Sequence, residues 1–315
     1  MNTNVFSLRI KNVFLFVLVI VLSAIFLFSG ISKLFDFERF EWNIMDAGIS
    51  SMTFSGILAR LFIGLELMLG LFLLLHLFLK TFTYKAVFIL LSFFIVYLIA
   101  LMIRQGNTGN CGCFGEMYQM SPGMGIAKNV MMMIMVAILF KEYNPKPLKQ
   151  APVLAGVAGM ISIVIPFVFF PLSQDAVPEI SNEAINLESL YQSKNPENTK
   201  PVQDLRKGKH IVAFMSLTCP HCKKAAFVLQ IIHRQNPDIP IFFVLNGNPD
   251  FLSDFYKESH ADSVPHVLFR GSDEFASMAG NAVPAIYFIH NSVIERKANY
   301  FQLDPQYMRQ WLREP

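Results

Sequence analysis

The chain has 315 residues, of which 53% are hydrophobic and only 16% charged, with 31 Phe, 16 Met and a net charge of +3. This balance is too apolar for a disordered chain or for a water-soluble protein of ordinary surface, and it points to a membrane protein. No stripe of Lys and Arg interleaved with aromatics runs through it, so nucleic acid is not an expected partner.

The charges are unevenly divided. Residues 1–172 hold 19 of them and residues 173–315 hold 30, so two parts with different solvents are expected. About 20 apolar residues cross a bilayer, and residues 1–148 are predicted to form a bundle with spans at 13–30, 56–79, 86–103 and 122–140, followed by a fifth span within 149–172. The first span follows Arg9 and Lys11 as a signal peptide would. It lacks a small-x-small cleavage site and precedes four further spans, so it is read as an uncleaved helix. The fourth contains Lys128 and Asn129, and spans only if Lys128 reaches the interface beside Met131, Met132 and Met133. The Met run is read as packing or lipid-facing surface rather than as a copper site.

Arg9, Lys11, Lys80, Lys85, Lys141, Lys146 and Lys149 fall on one side of this arrangement, and Lys33, Arg39 and Arg104 on the other. The excess of basic residues on cytoplasmic segments places the N-terminus in the cytoplasm of a cell whose inner membrane the chain spans. Loops 31–55 and 104–121 and everything beyond the fifth span then face the periplasm or exterior. Glu66 lies well inside the second span, where an ionised carboxylate is costly without a partner. Arg60 and Lys33 are candidate partners, and Arg60, Glu66 and Lys33 together mark a candidate quinone-headgroup or proton site. A structural interhelical ion pair is the alternative.

The loop before the fourth span carries Cys111-Gly112-Cys113 among Gly106, Gly109 and Gly115. A disulfide between Cys111 and Cys113 closes a small strained ring, and strained, exposed disulfides are the ones that exchange readily. Metal binding or a loop staple are the other readings of the pair.

Residues 173–200 are polar, rich in Asn and Pro, and are predicted to be a linker with a short helix near 187–191. Residues 201–315 then alternate in character. Strands are predicted at 210–216, 239–245 and 266–269, helices at 223–234, 249–258 and 273–278, a strand pair at 285–289 and 293–297 turned by Asn291 and Ser292, and a closing helix at 305–312. This describes an α/β domain of about 110 residues. Its first strand runs into Cys219-Pro220-His221-Cys222. Two close pairs account for all four cysteines of the chain, and His210, His233, His260, His266 and His290 show no metal-ligand spacing, so no metal is expected.

A Cys-x-x-Cys after the first core strand and opening a helix, with Val283-Pro284 ahead of a later strand, resembles the thioredoxin fold. Pro220-His221 between the cysteines resembles the DsbA-type oxidases. The resemblance implies that Cys219 is the attacking sulfur, because a helix N-terminus favours a thiolate, and that Cys222 resolves the mixed disulfide. His221 beside the Cys219 thiolate would make the pair more oxidising. Pro284, as a cis proline, would present backbone to an extended substrate. The apolar part has its own resemblance: Gly30-Ile31-Ser32-Lys33-Leu34 with Asp36 and Phe37, Arg60 and Glu66 with Gly64 and Gly70, and Cys-Gly-Cys-Phe-Gly are similar to the MauE/DoxX group of four-helix redox-associated membrane proteins. MauE is linked to maturation of a disulfide-rich methylamine dehydrogenase subunit, which implies disulfide formation outside the cytoplasm.

The expected architecture is thus an α-helical membrane bundle, four MauE/DoxX-like helices plus a fifth span, with a thioredoxin-like soluble domain. The expected function is thiol–disulfide oxidation of exported proteins, with electrons passing from Cys219/Cys222 to Cys111/Cys113 and on to a membrane acceptor such as quinone. A reductase running the other way, towards exported disulfides or cytochrome maturation, is an alternative. A thioredoxin-like module that the bundle merely anchors is another. The expected partners are exported protein thiols or disulfides, membrane lipid and quinone, with no covalently bound cofactor.

Overall fold

A computed structural model describes residues 3–35, 37–46, 52–107, 120–145, 150–172, 177–193, 195–280 and 282–315. They form two compact units, essentially 1–172 and 173–315.

The first unit contains α1 (Thr3–Phe35), α2 (Phe37–Asp46), α3 (Met52–Leu74), α4 (Tyr84–Gln105), α5 (Pro122–Glu142) and α6 (Ala151–Phe169). Among the described residues five stretches are long and apolar enough to cross a bilayer: Arg9–Phe35, Phe54–Leu74, Leu79–Ile103, Pro122–Glu142 and Ala151–Phe169. The protein is a multi-pass membrane protein. Its core is built at three- and four-residue spacing, from Leu15, Val19, Leu22 and Phe26 of α1, Leu69 and Leu73 of α3, Val87 and Leu91 of α4, and Met132, Val136 and Leu139 of α5. The opposite faces expose Val13, Val17, Val21, Ile89, Val96, Ile134 and Ile138, an apolar exterior that suits lipid. The Met run divides along the same lines, with Met132 and Met135 buried and Met131 outward.

Two glycines let α1 and α3 touch. A Cβ on Gly30 would sit 2.8 Å from Leu67 Cδ2, and one on Gly70 would sit 2.8 Å from Leu27 Cδ2. Ser23 Oγ donates to the Gly70 carbonyl at 2.8 Å in the same seam. Small residues of this kind drive helix association in lipid, where apolar burial between helices gains little. α6 joins from outside through Ala151 and Ala158, which pack with Phe72 and Leu77.

Three sequence expectations change here. The second span ends at Leu74, not at residue 79. The chain reverses through His76 and Phe78, both left-handed (φ 55° and 46°), and Thr83 Oγ1 donates to the Leu77 carbonyl at 2.6 Å. The apolar run continues through this turn, so hydropathy alone does not reveal it. Secondly, the loop expected over residues 31–55 holds an amphipathic helix, α2, which buries Phe37, Phe40, Ile44 and Met45. Thirdly, α1 continues to Phe35, so Lys33 belongs to a helix and not to that loop.

The second unit contains β1 (Glu179–Ala184), α7 (Ser189–Gln192), β2 (Lys209–Ser216), α8 (Pro220–Gln235), β3 (Ile241–Asn246), α9 (Leu252–Ser259), β4 (His266–Leu268), α10 (Ser272–Ala279), β5 (Ala285–His290), β6 (Val293–Ala298) and α11 (Pro305–Arg313). They build a six-stranded sheet of order β1-β6-β5-β2-β3-β4. β2, β3 and β4 run parallel, β5 is antiparallel to β2, and β5 and β6 form a hairpin. Its turn residues Asn291 and Ser292 are both left-handed (φ 50° and 63°), the conformation that matches the twist of a two-residue hairpin. The central strand β2 is apolar from Ile211 to Met215 and wholly buried there, as a strand covered on both faces must be. The domain is thioredoxin-like.

The expected linker is mostly part of this sheet. β1 pairs antiparallel with β6, opposing Glu179 to Lys297 and Ala184 to Val293, and Leu187 and Leu190 are buried in the domain core. β1 reads Glu-Ile-Ser-Asn-Glu-Ala and is largely exposed. An edge strand held by backbone pairing and by the ion pair of Glu183 with Lys297 leaves no hydrophobic alternation to read.

Candidate functional site

The redox pair sits where β2 ends and α8 begins. Pro220 occupies the first turn of α8, where a missing N–H costs nothing, and Cys219 is the N-cap, its Sγ accepting the Cys222 N–H at 3.4 Å. One turn on, Cys222 Sγ accepts the Ser216 N–H at 3.3 Å. Both thiols are free, Cys219 partly exposed and Cys222 buried. Burial pushes the Cys222 thiol well above the ordinary cysteine range, and the Ser216 N–H opposes this only weakly. A protonated, inward thiol therefore lies beside a reachable one.

Strand register brings the second element to the pair. Phe214 of β2 opposes Ala285 of β5, so the segment just before β5 meets the segment just after β2. The Val283–Pro284 peptide is cis, and the Cys219 thiol points its S–H at the Val283 carbonyl, 3.8 Å away. Cys219, Cys222, Pro220 and Pro284 thus gather at one end of the sheet. His221 does so too, but its partner differs from the one expected. Its Nδ1 is 3.1 Å from the Tyr300 hydroxyl and the two rings stack, and no hydrogen bond joins it to Cys219. Tyr300 follows β6 with no motif spacing to announce it.

The membrane site also differs from expectation. Lys33 Nζ donates to Glu66 Oε1 at 2.8 Å, to Oε2 at 2.7 Å and to Ser29 Oγ at 2.7 Å, while Ser29 Oγ donates to Glu66 Oε2 at 3.1 Å. The ammonium also lies 5.3 Å from the ring centre of Phe40. Arg60 is not part of this cluster. Six residues at about 100° each turn it about 120° away from Glu66 on α3. It donates instead to the carbonyls of Gly56 and Phe170, at 2.6 and 2.7 Å, stacks over Phe37 and pairs with Glu41 at 3.8 Å. Lys33 and Glu66, but not Arg60, line a cavity of about 350 Å³ enclosed by α1 to α5.

Cys111 and Cys113 lie outside the described residues. Nearby, the Gly123 N–H donates to Asn107 Oδ1 at 2.8 Å, tying the start of α5 to the chain just after α4. Among the described residues no cluster of three or more His, Cys, Asp or Glu could hold a metal ion. Disulfide exchange is the chemistry that the Cys219 arrangement suits: a reachable sulfur, a buried sulfur one turn away and the Val283 carbonyl beside them.

Residues 11–141 match the family described as methylamine utilisation protein MauE. Protein TlpB of Flavobacterium psychrophilum is 25% identical over 333 aligned positions, which cover 90% of this chain and 90% of the relative. That likeness takes in both units. No solved structure matches the chain. The chain is thus a multi-pass membrane protein whose residues 11–141 are similar to MauE and in which a thioredoxin-like domain follows the spans.

Proposed function

We propose that the protein is a membrane-embedded thiol–disulfide oxidoreductase that forms disulfides in exported proteins. The observation that carries this reading is the Cys219 site: a partly exposed thiol at a helix N-terminus, with its buried partner one turn away and the Val283 carbonyl alongside. A substrate thiolate attacks Cys219 Sγ of the Cys219–Cys222 disulfide, and Cys222 leaves as a thiolate and takes up a proton. A second substrate thiol, giving up its proton, attacks the substrate sulfur of the mixed disulfide. The substrate leaves oxidised by two electrons, and the cysteine pair is left as the dithiol.

The dithiol is reoxidised by the Cys111–Cys113 disulfide through the same two exchanges. That pair in turn passes two electrons and two protons to a membrane quinone, which accepts them as quinol. The reading requires both cysteine pairs on the periplasmic or extracellular side. The distribution of Lys and Arg supports this, because with Lys33 inside the bundle the expected outer side retains only Arg39 and Arg104 against seven basic residues on the other. The shared extent of the TlpB relative, bundle and soluble domain together, supports the two units acting as one device.

The test is oxidation of a reduced two-cysteine peptide by the full chain in lipid nanodiscs. Cys219→Ser abolishes peptide oxidation, and so does Cys222→Ser, which leaves Cys219 without the disulfide that the peptide reduces. Undiminished oxidation by Cys219→Ser contradicts the reading, and net reduction of an oxidised peptide reverses its direction.

A further inference from the structure

The cavity beside Lys33 and Glu66 has an unused polar group in its wall. Asn129 of α5 is 2% exposed and lines the cavity, and its Nδ2 has no hydrogen-bond partner among the described residues. A buried amide donor left unpaired keeps the full cost of its desolvation, so its persistence inside a membrane bundle calls for an acceptor that enters the space it faces. Lys33 cannot be satisfied by the same acceptor, because its three N–H groups go to Ser29 and Glu66. The remaining wall is mostly apolar and largely aromatic: Phe62 stacks on Phe93 with ring centres 5.2 Å apart and tilts on Phe94 at 5.8 Å, and Phe40 and Tyr97 line the same space. The volume falls at the small end of the range of about 300–1,000 Å³ typical of ligand sites. Apolar walls with a few convergent polar groups are also typical of them. A flat ring bearing a carbonyl oxygen meets each of these demands, with its faces against the phenyl rings and its oxygen on Asn129.

We propose that this cavity binds the headgroup of a membrane quinone, with Asn129 Nδ2 donating to a ring carbonyl and the Lys33–Glu66 pair forming the polar wall beside it. The proposal rests on the reading of the chain as a thiol oxidase that discharges electrons into the membrane, and it names where the acceptor sits. Arg60, on another face of α3, takes no part. Asn129 interrupts the fourth span in sequence, and at this site that same polar residue becomes the specific contact.

Binding is measured on the full chain in nanodiscs with decylubiquinone and menadione as probes. One readout is quenching of Trp42 fluorescence in a Trp311→Phe background, since Trp42 lies on the same short helix as the lining residues Phe40 and Asn43. The other is the thermal unfolding midpoint, which a bound ligand raises. Saturable quenching and a raised midpoint are expected. Asn129→Leu, which removes an unpaired donor and leaves the bundle apolar, weakens binding about tenfold, the loss of one hydrogen bond, while Ser92→Ala on an exposed helix face leaves it unchanged. Absence of saturable binding by either probe overturns the proposal, as does equal affinity in Asn129→Leu, or extraction of phospholipid alone as a tightly held occupant. Peptide oxidation by Cys219 for a single turnover is followed in the same nanodiscs. Its persistence without quinone binding removes only the quinone site, and its survival in Cys219→Ser removes the underlying oxidase reading.

Discussion

Lys33 Nζ lies within 2.8 Å of both carboxylate oxygens of Glu66, and neither side chain is more than 5% exposed. One residue comes from α1 and the other from α3, so the pair fixes the register between the first two membrane-spanning helices. Gly30 and Gly70 allow the approach. Two opposite charges in lipid are tolerated only together: removing one leaves an uncompensated charge in a low-dielectric interior, whereas replacing both removes the desolvation cost as well.

Lys33→Met alone and Glu66→Met alone are therefore each expected to destabilise the bundle strongly, by about 3–5 kcal/mol, and the double replacement to recover most of that loss. The check is a double-mutant cycle on unfolding of the bundle in mixed micelles. Additive losses in the double variant would show that the two residues act independently.

The redox helix makes a different forecast. Burial raises the Cys222 thiol far above its ordinary range, so it stays protonated and unreactive in the reduced folded domain well past pH 8. Iodoacetamide applied to the reduced protein between pH 6 and pH 9 is expected to label Cys219 but not Cys222, which is labelled only after denaturation. Mass spectrometry of the digested protein reads this directly. Equal labelling of both cysteines in the native protein at pH 8 would show that Cys222 is not held as described.

Glu41 supplies a pH dependence in the bundle. Burial in α2 pushes its carboxyl up to about 7, with Arg60 pulling in the opposite direction and Glu38 adding to the rise. A carboxyl whose folded value is raised stabilises the fold fully below its unfolded value of 4.5, and that contribution is lost as pH climbs to about 7. The thermal midpoint of the bundle is therefore expected to fall between pH 5 and pH 7.5. Glu41→Gln is expected to flatten this dependence, and an unchanged slope in that variant would assign it to other groups.

Much of this was legible from the chain alone. Strands and helices of the soluble domain follow from short apolar runs such as Ile211 to Met215, from the Asn291-Ser292 turn and from Pro220 and Pro305 at helix starts, because each is a local signal. β1 was hidden because its polar edge sequence earns its place through backbone pairing with β6. α2 did carry a signal, with Phe37, Phe40, Ile44 and Met45 at helical spacing, which an expectation of loop obscured. The membrane site was half legible. Glu66 stands out as a carboxylate within an apolar span, but choosing Lys33 over Arg60 as its partner depends on how α1 rotates against α3. Neither Tyr300 beside His221 nor the unpaired amide of Asn129 can be recognised without the fold.

The central claim is that Cys219 exchanges with the Cys111/Cys113 pair. Replacing Cys222 by Ala removes the resolving thiol, so a mixed disulfide on Cys219 persists. The protein is quenched in acid, purified from membranes and digested without reduction, and its cross-linked peptides are identified by mass spectrometry. The account predicts a peptide joining Cys219 to Cys111 or Cys113. Cys219 found joined only to other proteins, with Cys111 and Cys113 never linked to it, would contradict the relay and leave the bundle as an anchor for an independent oxidoreductase.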